Sequence, residues 1–464
     1  MKTRTRDLFA TWRPELIGLV LAAFATRLWD VFNPKAVVFD EVYFKAFAAH
    51  YLDHHYFFDI HPPLGKLLLA SEAHLLGLTP ATMLNGTPVA MRLLPAIAGA
   101  LIIPVVWAIL RRLGASRAFA FLGAATVLLD NAITVESRFI LMDSMLMLTG
   151  LAAVYFYLVA RDHTSKWHWA WLAAAALAAG ASVSIKWTGL NALAIILLVW
   201  AWDQRGRTIG LGKRAGELAL LVIIPVTLYV SVFAIHFALL THSGDGDAFM
   251  TPKFQATLVG SNYYNPHAHD SFISRFLELN KEMYVANQTL TATHPYSSRW
   301  YTWPLELRGV YYWQGPVMAN GSQGNIYLLG NPIVWWGVWV AILCGASFAW
   351  VQGVRLRPAT IAALAIAASA YFINLLPFVG VTRVMFLYHY FFSFIFSLIF
   401  AIMLWNDLST DQHGAQLKKP THRRVYAAVL ALIAIGFMYF IPLTYGTAMS
   451  PAALQAHMWL KSWR

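Results

Sequence analysis

Charge is what this sequence has little of. Asp, Glu, Lys and Arg supply only 12% of its 464 residues, while hydrophobic residues supply 59%. Soluble globular chains carry roughly 25% charged residues. A fold of this size cannot hide so much apolar surface from water, so a soluble globular enzyme is excluded. Cysteine is almost missing too: Cys344 stands alone, inside the apolar run Val338–Trp350. No disulfide can form within the chain, and the fold is not a disulfide framework. Internal repeats, low-complexity tracts and linkers between soluble domains are also lacking.

What is present is a series of apolar runs. A helix needs about 20 apolar residues to cross roughly 30 Å of hydrocarbon. Candidate spans lie at 15–32, 88–110, 117–135, 139–160, 168–185, 189–202, 217–240, 331–351, 359–379, 384–405 and 425–445, the sixth being short. The expected fold class is an all-α polytopic membrane protein with about 11 transmembrane helices. The chain reads as a single membrane-embedded domain over residues 1–464, with two long outer loops at 33–87 and 241–330.

The basic residues have a side. With the N-terminus in the cytoplasm, the inner segments and adjacent helix ends hold 19 Lys+Arg and 7 Asp+Glu, and the remainder holds 15 of each. The formal charge of +12 therefore lies wholly inside. Its clusters are Arg111/Arg112, Arg205/Arg207/Lys213/Arg214 and Lys418/Lys419/Arg423/Arg424. They sit in short loops, where the positive-inside rule operates. The basic balance thus reports orientation, and no nucleic-acid partner is expected.

Charges near membrane segments are costly and suggest function. In this topology they gather at the outer level: Asp40-Glu41, the run Asp59–Lys66, Glu136-Ser137-Arg138, Asp143-Ser144, Lys186-Trp187, Arg383 and Tyr388-His389-Tyr390. Phe39–Leu52 reads as a short amphipathic helix. Its acids either cap the N-terminus, where the helix dipole favours carboxylates, or include a general base. Arg138, Lys186 and Arg383 would converge at one depth, and guanidinium groups suit phosphate oxygens. The bland alternative is neutralisation of Arg138 by Asp143 or Glu136.

Other features stay open. Asp245 and Asp247 form an Asp-x-Asp pattern whose flanking glycines favour a turn over a metal site. His50, His54, His55, His61 and His74 lack metal-ligand spacing. Trp300–Pro304 and Tyr311–Trp313 form either an interfacial belt or a platform for a sugar or acceptor.

Several blocks together resemble the protein O-mannosyltransferase family. They are Phe39–Phe44, Tyr56–Lys66, Glu136–Ser144, Ser184–Gly189, His236-Phe237, Ser243–Met250 and His294–Trp300, within residues 27–405 and in the family's order. The resemblance implies a multi-helix fold of the GT-C glycosyltransferase type. It also implies transfer of mannose from a polyprenyl-phosphate mannose donor to Ser or Thr of secreted or membrane proteins. Asp40 would be the catalytic base, with Glu41 beside it. Arg138 matches an essential arginine, and Arg27 a further needed position. Lys186 and Arg383 would join Arg138 on the donor phosphate, with His61, Asp143 and His389 as supporting residues. The loop 33–87 would be catalytic, and 241–330 would meet donor and acceptor.

Eukaryotic members insert a β-trefoil domain in the second outer loop. Residues 241–330 have no room for one. That points to a shorter bacterial type in the plasma membrane, active on its outer face; a eukaryotic source would place it in the endoplasmic reticulum. Acceptors would arrive with help from the secretion machinery.

The chemistry suits these residue types. A polyprenyl phosphate is already a stable anion, so its departure needs cations and no general acid. The acceptor hydroxyl needs a base. One carboxylate and a cationic clamp suffice, unlike the two carboxylates of glycosidases. Displacement from one side would invert the anomeric carbon. No cofactor and no metal is expected. The alternatives are a related enzyme that transfers a lipid-carried sugar to a lipid or glycan, and a lipid-carrier transporter. The second would need polar residues through the bilayer midplane.

Overall fold

The structure is a computed structural model, and it describes residues 14–163, 166–206, 210–410 and 420–464. Arg207, Lys418 and Lys419 of the basic clusters lie outside the described residues.

A helix stands in every expected apolar segment. Among the described residues, eight helices are long and apolar enough to cross a membrane: Val89–Leu113, Asp143–Asp162, Lys166–Ile185, Leu211–Leu239, Pro332–Val351, Pro358–Gly380, Leu387–Ser409 and Pro420–Tyr445. The other three expected spans are shorter, Pro14–Leu28, Arg117–Leu128 and Leu190–Asp203. Helices are the natural answer here, because hydrocarbon offers no partner for a free N–H or C=O. Pro104, Pro225 and Pro442 are accommodated inside long helices.

The expected span 117–135 breaks for a local reason. Its first helix ends at Leu128, and Asp130 then caps a short second helix, Asn131–Glu136. The Asp130 carboxylate accepts the Ile133 N–H at 2.9 Å, the Trp335 indole N–H at 2.8 Å and the Asn331 N–H at 3.1 Å. This carries Glu136-Ser137-Arg138 into a fully buried stretch ahead of helix Asp143–Asp162.

The first outer loop carries three helices, Glu41–Asp53, Leu64–Leu75 and Pro80–Asn85. The second carries the amphipathic helix Phe272–Thr289 and the short turns Pro252–Gln255 and Trp300–Leu305. It also holds an antiparallel hairpin, Val310–Val317 with Gln323–Leu328. The all-α expectation missed this element. Its strand positions are the β-favouring tyrosines and valines, whose alternation is blurred by two register shifts. The hairpin also joins Met449, and Trp463 donates to the Glu306 carbonyl at 2.7 Å, so the C-terminal segment packs on the same side.

The two outer loops are stitched together. Tyr56 N–H donates to the His242 carbonyl at 2.8 Å, and Phe58 stacks on Phe249 at 4.2 Å. Gly244 and Gly246 lie so close to the Tyr56–Phe58 backbone that a Cβ on either would fall within 2.4 Å of it. Only glycine allows that approach. At the other end of the bundle, Arg112–Asp162, Arg161–Asp203 and Arg357–Asp407 pair between helix ends.

Candidate active site

A cavity of about 430 Å³ opens where the outer loops meet the helix ends. His61 comes from the first loop, and Asp143 from the start of helix Asp143–Asp162. Lys186 and Asn191 flank the start of Leu190–Asp203, and Asn374 ends Pro358–Leu375. Arg383 precedes the helix Leu387–Ser409, and Tyr388 and His389 lie in its first turn. Tyr284, Asn287 and Gln288 of the amphipathic helix also face it.

The charges on its wall are unequal. Lys186 is paired with Asp143 at 2.6 Å, and its ammonium lies 5.5 Å from the Tyr388 ring centre. Arg383 has no carboxylate partner among the described residues. Its guanidinium donates to the Val384 carbonyl at 3.2 Å. An unneutralised guanidinium on a largely apolar wall is an anion site by its chemistry. His61 is held neutral, its pKa lowered well below the usual range by burial and by Lys186, Lys66 and Arg383. His389 is fixed by the Phe386 backbone and stacks on Trp303 and Tyr388.

Asp40 is not on the wall itself. It precedes helix Glu41–Asp53 and makes no side-chain capping bond, so the capping role weighed for it is not what the geometry displays. Burial pushes its carboxyl up to about 6; Lys186 opposes that rise, while Asp143 and Asp59 add to it. The carboxyl is therefore linked electrostatically to the paired wall residues. Phe39 sets its position. This residue has φ +50°, a left-handed conformation that a bulky side chain rarely adopts. It is clamped by stacking on Tyr312 at 4.3 Å and by edge contacts with Phe386 and His294. Tyr312 in turn donates to Glu136 at 2.5 Å. Part of the aromatic stretch thus buttresses the turn that carries Asp40, a role that neither a belt nor a platform describes.

Three expected site residues lie elsewhere. Glu41 is 1% exposed, and both carboxylate oxygens are occupied. They accept Arg92 Nε at 2.7 Å and Nη2 at 2.8 Å, and the N–H groups of Val38 and Ile140 at 2.8 and 2.9 Å. A carboxylate so saturated has no lone pair left to take a substrate proton, so Glu41 is a positioning residue and not a base. Arg138 is a correction of the same kind. Its guanidinium donates to the carbonyls of Arg27, Trp29 and Asp30 and lies 4.3 Å from the Tyr445 ring. It does not face the cavity, and it is spent on the turn after the first helix. Arg27 is wholly buried and donates to the Leu128 and Val127 carbonyls at 2.8 and 3.2 Å.

Asp247 closes a turn, accepting Ser243 Oγ at 2.6 Å and Gly244 N–H at 3.1 Å. Among the described residues no group of three or more His, Cys, Asp or Glu is placed to hold a metal ion.

The chain's relatives bear on this arrangement. Residues 17–241 match the family described as dolichyl-phosphate-mannose-protein mannosyltransferase, and residues 272–463 match the C-terminal four-helix membrane region of protein-O-mannosyltransferase. The two matches cover both membrane halves and every wall residue named above. The chain belongs to the protein O-mannosyltransferase family.

Among relatives, dolichyl-phosphate-mannose–protein mannosyltransferase 4 of Candida albicans is 35% identical over 266 residues, 52% of this chain and 35% of that protein. Its Schizosaccharomyces pombe counterpart is 31% identical over 341 residues, 68% of this chain and 42% of that protein. The chain thus spans less than half the length of these relatives. Its fold is that of the Saccharomyces cerevisiae protein O-mannosyltransferase Pmt1-Pmt2 complex bound to the sugar donor. The TM-score is 0.86 at 22% identity, covering 97% of this chain and 92% of that one. ArnT from Cupriavidus metallidurans shares the fold more distantly, at TM-score 0.55 and 15% identity, covering 93% of this chain and 76% of that one.

Sequence reasoning missed several residues around this candidate site. Arg92, the partner of Glu41, stands near the start of the second apolar run; the rule that a buried arginine needs a carboxylate would have pointed to the pair. Asn191 and Asn374, bonded to each other at 3.2 Å across two helices, carried no such signal.

Proposed function

We propose that the protein transfers mannose from a polyprenyl-phosphate mannose to Ser or Thr hydroxyls of secreted or membrane proteins. The observation that carries this is the electrostatic link between Asp40 and the cavity wall. Its carboxyl makes no capping bond and responds to the charges of Lys186 and Asp143, and Arg383, without a carboxylate partner among the described residues, shares that wall.

In this reading Arg383, with Lys186, holds the donor phosphate. Asp40 takes the proton of the acceptor hydroxyl as its oxygen attacks the anomeric carbon. The bond from that carbon to the phosphate oxygen breaks, and polyprenyl phosphate leaves as an anion. Attack from the face opposite the phosphate inverts the centre. Asp143 limits the positive charge of Lys186 and orients it. Neutral His61 and the amides of Asn191 and Asn374 offer hydrogen bonds without further charge. Glu41, Arg138 and Arg27 act by holding the first helix, its turn and the Asp40 loop in register.

Arg111, Arg112, Arg214, Arg423 and Arg424, at helix ends away from the site, support a site on the outer face of the cell membrane. The compactness of 241–330, without room for a trefoil, supports the short bacterial form. Delivery of acceptors by the secretion machinery belongs to the same reading. The test is transfer of labelled mannose from polyprenyl-phosphate mannose to a Ser/Thr peptide by the purified protein. Labelled lipid or glycan with unlabelled peptide would favour the related lipid-acceptor reaction instead.

A further inference from the structure

The pair His236-Phe237 belongs to the motif set, yet neither residue lines the large cavity. His236 lies near the outer end of the helix Leu211–Leu239 and is 3% exposed. Its Nδ1 is 2.7 Å from the Tyr51 hydroxyl. Among the described residues that hydroxyl has no other acceptor, so the phenol donates to Nδ1 and the ring carries its proton on Nε2. That Nε2 is buried and has no partner among the described residues.

A donor left unsatisfied in such a place is expensive, and it faces a specific neighbourhood. A second, small cavity is enclosed by Phe57, Asp59, Lys66, His236 and their neighbours, His61 among them. Its volume is about 10 Å³, about what one water molecule occupies by this measure. Lys66 crosses it as part of a tight network. Its ammonium meets Asp59 at 2.5 Å and the His61 carbonyl at 2.6 Å, between the rings of Phe47 and Phe57. Three polar groups thus converge on a space for one water.

We propose that a single buried water bridges His236 Nε2 to the Asp59 carboxylate, and that His236 is a positioning residue for the donor cavity. The chain of bonds runs from the Tyr51 hydroxyl through His236 and the water to Asp59 and Lys66. It ends at the His61 carbonyl, and the His61 side chain is on the large cavity's wall. The network ties the first outer loop to a membrane helix at the point where that loop enters the site. Its effect on donor recognition rests on the function proposed above; the water itself does not.

Two measurements test this. A high-resolution structure of the wild-type protein should show an ordered solvent peak within hydrogen-bond distance of His236 Nε2 and Asp59. A well-ordered pocket without that peak overturns the proposal, whatever the enzyme's activity. In kinetics, His236→Phe should raise the KM for the lipid donor about tenfold with kcat within about twofold. His236→Gln, which returns an N–H donor, should recover most of that loss. A merely structural role would lower thermal stability in both variants alike, without splitting KM from kcat or distinguishing Gln from Phe. That pattern contradicts the proposal. Absence of transfer by the wild type would refute the proposed function, and the solvent peak would still decide the bridge.

Discussion

Glu41 accepts both Nε and Nη2 of Arg92, at 2.7 and 2.8 Å, in a fully buried ion pair. Asp40, its neighbour in sequence, makes no capping bond, and its carboxyl responds to the charges of Lys186 and Asp143. In the proposed mechanism these two adjacent acids serve different ends, one of structure and one of chemistry. Glu41→Gln removes the charge that neutralises Arg92. Breaking one side of a buried pair costs about 3–5 kcal/mol. Thermal unfolding in detergent should show that loss, with activity falling alongside it. Full stability with lost activity would instead assign Glu41 to the reaction.

The Asp40 carboxyl, raised to about 6, works as a base only when ionised. Its ionised fraction grows as pH rises, so kcat/KM should climb through pH about 6 and level off above it. Lys186 favours the ionised form. Lys186→Met should therefore move this limb to higher pH by about one unit, besides weakening donor binding. An unmoved limb would mean that another group controls it.

Arg138 and Arg383 should separate cleanly. Arg138→Ala strips three carbonyls of their donor and should cost about 1.5–3 kcal/mol of stability. The KM for donor should change little in whatever protein remains folded. Arg383→Ala should leave the melting temperature near wild type and raise that KM about 30-fold. Reversed results would return the phosphate clamp to Arg138.

Fixed cations supply the electrostatics in this account. Activity should therefore persist in excess chelator. Loss on chelation, restored by a divalent ion, would direct attention back to Asp245 and Asp247.

The helical plan was legible because hydropathy over 20 residues is a strong, local signal. Asp130 shows where that signal fails. One carboxylate, serving as a cap and as acceptor for Trp335 and Asn331, splits an apolar run into two helices. The hairpin at Val310–Leu328 was hidden by its register shifts. At the site, residue type and membrane level were enough to bring His61, Asp143, Lys186, Arg383 and His389 to one wall. They were not enough for Arg138, because depth does not say which way a guanidinium turns. Its partners are backbone carbonyls more than 100 residues away in sequence, and carbonyls leave no trace in composition.

One measurement bears most directly on the central claim. Purified wild type and Asp40→Asn are each given radiolabelled polyprenyl-phosphate mannose and a Ser/Thr peptide near pH 7.5, with donor binding measured in parallel. The account predicts labelled peptide from wild type and almost none from Asp40→Asn, with donor affinity within about threefold in both. Transfer by Asp40→Asn at the wild-type rate would contradict it.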